Sequence, residues 1–177
     1  MVKVSTSIAP FKGVTVTTPT ELWAALFLRD LWQLDVAPNI PRCDPAPAFA
    51  MPGSLATEAE ALTVSEVLEL ESVPTPLAPS AGLRGVFAAI ELHSQVDGWR
   101  LWRDRSKREV QRLCQTLDSS PQWLCRDELA AHSPRITHVA IVPVAGDYSE
   151  MRATTMYVAL GIFREVESFR AALRANQ

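Results

Sequence analysis

Apolar positions along the chain change period several times, and each change marks an element. Residues 1–17 alternate weakly, and Val14 and Val16 flanking Thr15 suggest a short strand or an ordered N-terminal arm. Thr18-Pro19-Thr20-Glu21 then places a hydroxyl at N-cap, a proline at N1 and a carboxylate at N3 of a helix. That capping box satisfies or removes otherwise orphaned amides. The spacing of Leu22, Trp23, Leu26, Phe27, Leu31 and Leu34 predicts a helix from about Pro19 to Leu34 with a wide apolar face.

Pro38, Pro41, Pro45, Pro47 and Pro52, followed by Gly53, forbid both helix and central strand. Residues 36–54 therefore read as a long loop, and Ile40, Phe49 and Met51 give it side chains with which to pack. A loop of this length inside a compact domain is usually functional or an interaction element. Leu55–Leu62 has a helical pattern, Leu68-Glu69-Leu70-Glu71 alternates as a strand, and Pro74, Pro76, Pro79 and Gly82 mark a second loop.

The second half is more regular. Residues 85–96 alternate with Val86, Ala88, Ile90 and Leu92 on one face, which predicts a strand. From Gly98 to about Leu117 a helix is expected, with Trp99, Trp102, Val110, Leu113, Cys114 and Leu117 along one side. Ser120-Pro121 restarts a short helix that runs to about Ala131. Residues 135–144 are apolar on both faces and suit a central strand. Residues 151–163 form another, and the two are expected to pair as an antiparallel hairpin around Gly146-Asp147. Val166, Phe169, Ala172 and Leu173 define the inward side of a closing helix over 166–175. Together these elements predict an α+β fold: a single domain over 1–177, with an N-terminal arm (1–17), the proline-rich loop (36–54), and one mixed or antiparallel sheet with helices mainly on one face.

Composition supports a folded core, since 47% of the 177 residues are hydrophobic and 21% charged. The net charge of −3 makes the far field repel nucleic acid and acidic membranes, so any contact with a polyanion must be local. The three cysteines, Cys43, Cys114 and Cys125, are odd in number and form no CxxC, which points to reduced thiols. The N-terminus lacks the layout of a signal peptide, and no apolar run approaches a membrane span. The expected location is intracellular, in a host cytoplasm, with no membrane contact.

Chemistry-bearing patterns are sparse. Cys114, Cys125 and His132 fit no common zinc spacing, His93 and His138 lack a nucleophile at motif spacing, and seven glycines form no phosphate-cradling loop. Glu69 and Glu71 read as the wet face of a strand. No catalytic residue, cofactor or metal ligand is assigned, and the chain is read as a non-enzyme.

What remains is interaction surface. The predicted helix after Gly98 carries Arg100, Arg103, Arg105, Lys107, Arg108 and Arg112 beside Trp99 and Trp102. Arginines can grip phosphates and an exposed tryptophan can stack on a base. The plainer reading is a surface helix with core tryptophans and solvated arginines, supported by the Asp104–Arg108 spacing. Trp23 and Trp32 cannot share one helix face, so one of them is a further candidate contact. The candidate interaction residues are thus Trp32, Ile40, Phe49, Trp99, Arg100, Arg103, Arg105 and Arg108.

The order of elements resembles a known family. The capped first helix, the strand Val86-Phe87-Ala88-Ala89-Ile90-Glu91-Leu92, the Trp-bearing helix from Trp99 to Leu117 and the final Thr155-Met156-Tyr157-Val158-Ala159-Leu160 together resemble the tail-terminator proteins of tailed bacteriophages, the lambda U type. The likeness spans roughly residues 18–163 and includes no diagnostic motif. The N-terminal arm and the 36–54 loop depart from the compact family pattern. The resemblance implies a small α+β structural protein, a ring-forming homo-oligomer that caps the tail tube, meets the head connector and is incorporated into a virion. It implies no catalytic residues. The alternative is a nucleic-acid-binding accessory subunit of a ribonucleoprotein complex that uses the Arg/Trp helix over 98–117.

Overall fold

The computed structural model describes residues 8–11, 14–47, 61–62, 64–65, 67–68, 96–115, 120–131 and 135–176. The strand expected over 85–95, the second proline loop, Leu55–Glu60, Phe49, Leu117, His93 and His132 lie outside the described residues.

The sheet is built on β3 (His138–Val142), the most apolar of the described strands. On one side β3 runs parallel to β2 (Val14–Thr17), which pairs antiparallel with β1 (Ile8–Phe11). On the other side it runs parallel to β5 (Thr155–Ala159), which pairs antiparallel with β4 (Ser149–Arg152). The five described strands lie in the order β1-β2-β3-β5-β4. The fold is α+β with a mixed sheet, as the pattern predicts. Over 8–11 and 14–17 the expected arm is part of that sheet, with Val14 and Val16 buried.

The pairing of the last strands corrects the expected hairpin. β3 and β5 are parallel neighbours, with Val139 beside Met156 and Ile141 beside Val158. The antiparallel hairpin is β4–β5, turned at Ala153, whose φ is 51°. After Val142, Pro143 offers no amide to continue the ladder, and the chain passes to the far edge of the sheet before returning. Leu160–Phe163, expected as strand, is the start of helix α5 (Leu160–Arg164). An apolar run this short has no period that separates strand from helix.

Helix α1 (Thr20–Leu31) is shorter at both ends than its apolar spacing suggests. Pro19 is the N-cap rather than N1, its ψ of 98° still extended, and no side chain caps the helix, so the expected box with Thr18 does not form. The C-terminus closes as a Schellman turn. Gln33 sits in the left-handed region at φ 53°, the Leu34 amide donates to the Arg29 carbonyl at 2.8 Å, and the Gln33 amide donates to the Asp30 carbonyl at 3.3 Å. Leu34 therefore lies outside the helix. From Leu22 through Arg29 every residue is buried, which makes α1 a core helix rather than an amphipathic one. The Trp23 indole ties it to the sheet by donating to the Ile141 carbonyl at 2.8 Å.

Helix α2 (Val96–Gln115) packs against α1 through an aromatic cluster. Trp99 and Trp102 stack at 5.7 Å between centroids, and Phe27 meets both at 5.5 and 5.4 Å. Between α1 and α2 in sequence, Ala61, Leu62, Val64, Ser65, Val67 and Leu68 are helical, with Val64, Val67 and Leu68 buried. Leu68 is thus helical where a strand was expected to begin. Short helices α3 (Pro121–Leu124) and α4 (Arg126–Ala131) replace the single one predicted. The closing helix α6 (Val166–Ala175) turns Phe169, Ala172 and Leu173 inward as its spacing predicts.

Candidate interaction surface

Two assemblies of side chains stand out, one inside the protein and one on its surface. The inner one pins the proline-rich loop. Arg29 projects from the end of α1 and is 1% exposed, yet it is a cation. Its guanidinium donates to the carbonyls of Ile40 at 2.7 Å and Pro41 at 2.6 Å, and Nε donates to Asp30 Oδ1 at 2.7 Å. Asp30 also accepts from Arg42 Nη1 at 3.0 Å and from the Cys43 amide. Burial pushes the Asp30 carboxyl up, but Arg29, the Cys43 amide and Arg42 outweigh it and hold the group below its ordinary value.

The loop is held on two further sides. Trp102 Nε1 donates to the Pro45 carbonyl at 2.5 Å. The Asp44 amide donates to the Pro143 carbonyl at 2.9 Å, and the Ala145 amide to the Arg42 carbonyl at 2.8 Å. Over 36–47 the loop is thus held against the protein and Ile40 is buried, while Phe49 and Met51, the other apolar side chains that suggested packing, lie outside the described residues. The signal for this clamp was a charged pair, Arg29-Asp30, at the end of an uninterrupted apolar run.

Helix α2 supplies the surface assembly. Trp99, Trp102, Ser106, Val110 and Cys114 form its buried stripe, at spacings of three and four. Ser106 Oγ finds no hydrogen-bond partner among the described residues. On the opposite side Leu101, Asp104, Arg105, Arg108 and Arg112 face solvent in line, with Arg100 beside them. Leu101 is 70% exposed. A shallow depression of about 400 Å³ follows this side, lined by Leu101, Asp104, Lys107, Arg108 and Gln111.

Not all the cations on α2 are equally available. Arg103 Nε donates to Asp104 Oδ1 at 2.9 Å, and the guanidinium lies over the Trp99 ring at 5.8 Å. Arg108 Nε donates to the Asp104 carbonyl at 3.1 Å. Arg100, Arg105 and Arg112 have no ion-pair partner among the described residues. Glu109 is engaged by Arg164 of α5 in a two-pronged pair at 2.7 and 2.9 Å.

The structure thus brings Arg100, Arg103, Arg105 and Arg108 together on one helix and separates them from the other candidates. Trp99 is buried in the aromatic cluster, which corrects its reading as a stacking platform. Trp32 and Trp23 are both 1% exposed, so neither is an outward contact of this chain. Burial of both is possible because α1 is covered all round and Trp32 lies past its last turn, at the C-cap. Ile40 is also buried. Leu101 was not flagged by sequence reasoning, although its phase is opposite to that of Trp99 and Trp102.

The thiols are poorly placed for nucleophilic chemistry. Burial pushes Cys114 and Cys125 up to about 11, and burial followed by the Asp30 carboxylate raises Cys43 well above its ordinary value. His138 is exposed at the start of β3, its Nδ1 2.8 Å from Thr137 Oγ1. Among the described residues no three His, Cys, Asp or Glu side chains converge as a metal site, and no helix is long and apolar enough to cross a membrane. Neither protein-family models, curated proteins nor solved structures give a match to this chain.

Proposed function

We propose that the chain is a structural subunit of a larger assembly, in the form its sequence resemblance implies: a ring-forming phage tail-terminator or tail-completion protein that joins the tail tube to the head connector. The observation that supports an assembly role is the outward stripe of α2. A single exposed leucine is ordinary on a protein surface. Leu101 gains meaning from lying in line with Arg105, Arg108 and Arg112, because arginine is the charged residue enriched at interfaces.

The test is the mass of the purified protein by light scattering across a concentration series, alone and with isolated tail tubes. A discrete ring, or retention on the tubes, supports the reading. One-chain mass at every concentration, with no retention on tubes, overturns it.

The alternative, a nucleic-acid-binding accessory subunit, retains one favourable observation, the exposed arginines of α2. It loses the stacking component, since Trp99 and Trp102 are enclosed. Salt-dependent binding to single strands that disappears in Arg105→Ala, Arg108→Ala is its test, and no binding at low salt removes it. Arg103 is a poorer probe because Asp104 already engages it.

A further inference from the structure

We infer that the outward stripe of α2 is the seat of an acidic helix belonging to a partner protein, with one apolar side chain of that helix on Leu101 and its carboxylates on Arg105, Arg108 and Arg112. This rests on the assembly reading above and names the partner's chemistry.

Charge distribution is the first argument. Within Val96–Gln115 there are six cations (Arg100, Arg103, Arg105, Lys107, Arg108, Arg112) and three carboxylates (Asp97, Asp104, Glu109). Against 17 Lys+Arg and 20 Asp+Glu in the chain, this leaves 11 cations and 17 carboxylates elsewhere. The helix is a basic strip on an acidic protein. A long polyanion is repelled by the acidic remainder of the molecule, whereas a partner with a few localised carboxylates can meet the cations of α2 without crossing it.

Geometry is the second argument. Leu101, Arg105, Arg108 and Arg112 succeed one another at four, three and four residues, the spacing by which one helix reads another. Along α2 they span about 16 Å at about 1.5 Å per residue. The depression along Leu101, Asp104, Lys107, Arg108 and Gln111 is the recess a partner side chain would enter. Leu101 at one end and Asp104 within the strip also interrupt what would be a continuous phosphate track. Both are ordinary in a protein interface, where an apolar anchor and one opposed charge fix register.

The probe is a labelled, helix-favouring peptide with one leucine followed by glutamates at alternating spacings of four and three. Its controls are a scrambled peptide of the same composition and single-stranded DNA. The full chain should bind the ordered peptide at low salt. Arg105→Glu, Arg108→Glu should weaken it by about a hundredfold or more, Leu101→Ser by about tenfold, and a lysine version of the peptide should recover binding to the charge-reversed chain. Thermal melts of these surface variants check that they remain folded. Equal binding of the scrambled peptide, preference for DNA that survives Leu101→Ser, or no peptide binding by the unaltered chain each overturns the inference. So does self-association abolished by Leu101→Ser, which would make a second copy the occupant. If the peptide fails while a ring still forms, the partner inference falls and the assembly reading stands.

Discussion

Arg29 and Ile40 are joined by a hydrogen bond of 2.7 Å from Nη1 to the carbonyl oxygen, inside the protein and away from water. The bond makes the last turn of α1 the anchor for a proline-rich loop that has few ladder hydrogen bonds of its own. A buried guanidinium is costly unless it is well paired, and here each of its three nitrogens has an acceptor: the Asp30 carboxylate for Nε and the Ile40 and Pro41 carbonyls for Nη1 and Nη2.

The first prediction follows from that arrangement. Arg29→Met keeps most of the side-chain volume but leaves the Ile40 and Pro41 carbonyls without their Arg29 donors and Asp30 with only Arg42 and the Cys43 amide. The expected loss is about 3–5 kcal/mol, because breaking one side of a buried charged network strands the other side. Urea unfolding followed by tryptophan fluorescence reads it directly. A loss below about 1 kcal/mol would mean that water or another group satisfies the loop as well as Arg29 does.

Asp30 carries the second prediction. Its folded pKa lies below its ordinary value of 3.8, so the stability it contributes is present above that value and is lost as pH falls through the folded one. Glu150 acts in the same direction: the Arg152 hydrogen bonds, opposed by burial and aided by Tyr148, hold it below its ordinary 4.5. Stability should therefore fall with acid below about pH 4.5, the region of the unfolded carboxylates. Asp30→Asn should lower stability at neutral pH and flatten the acid slope. Urea midpoints measured through this range decide the matter, and an unchanged slope in Asp30→Asn would remove Asp30 from the account.

Much of this fold was legible because strong apolar periods dominate it. α2 and α6 follow their spacing of three and four, and Val139–Val142 declares a central strand by being apolar on both faces. The direction of β5 was not legible, because parallel and antiparallel neighbours of a fully buried strand need the same side chains. The end of α1 was hidden by Leu34, which continues the apolar phase after the helix has stopped. Arg29 was missed for a related reason: a lone cation after an apolar run ordinarily marks the solvent side. For the candidate surface, the arginines of α2 were visible in sequence, but the burial of Trp99 and Trp102 and the exposure of Leu101 depend on which face α1 covers.

The α1 terminus gives the third prediction. Gln33 is exposed and adopts φ 53°, a conformation that costs a residue with a Cβ about 1 kcal/mol or more and costs glycine almost nothing. Gln33→Gly should stabilise the protein by about 0.5–1 kcal/mol, after the greater entropy of an unfolded glycine is subtracted. Differential scanning calorimetry should show a raised Tm. A lowered Tm would indicate that the Gln33 side chain contributes a contact larger than the strain.

The cysteines supply the last. Cys114 and Cys125 are pushed up to about 11 by burial, and Cys43 is also raised, by burial first and then by the Asp30 carboxylate. At pH 8 the native protein should present almost no thiolate, so a disulfide reagent should leave all three thiols unmodified until the chain unfolds. In urea the same reagent should find all three, since each then titrates near its ordinary 9.0. The linkage has a definite sign. Between about 9 and about 11 the folded chain holds protons that the unfolded chain has released, so stability should fall as pH rises through that interval. Replacing Cys114 and Cys125 by alanine should flatten this alkaline decline, while costing packing energy at every pH. Fast modification of a single thiol in the native protein at pH 8 would show that one of these sites opens locally far more readily than its burial implies.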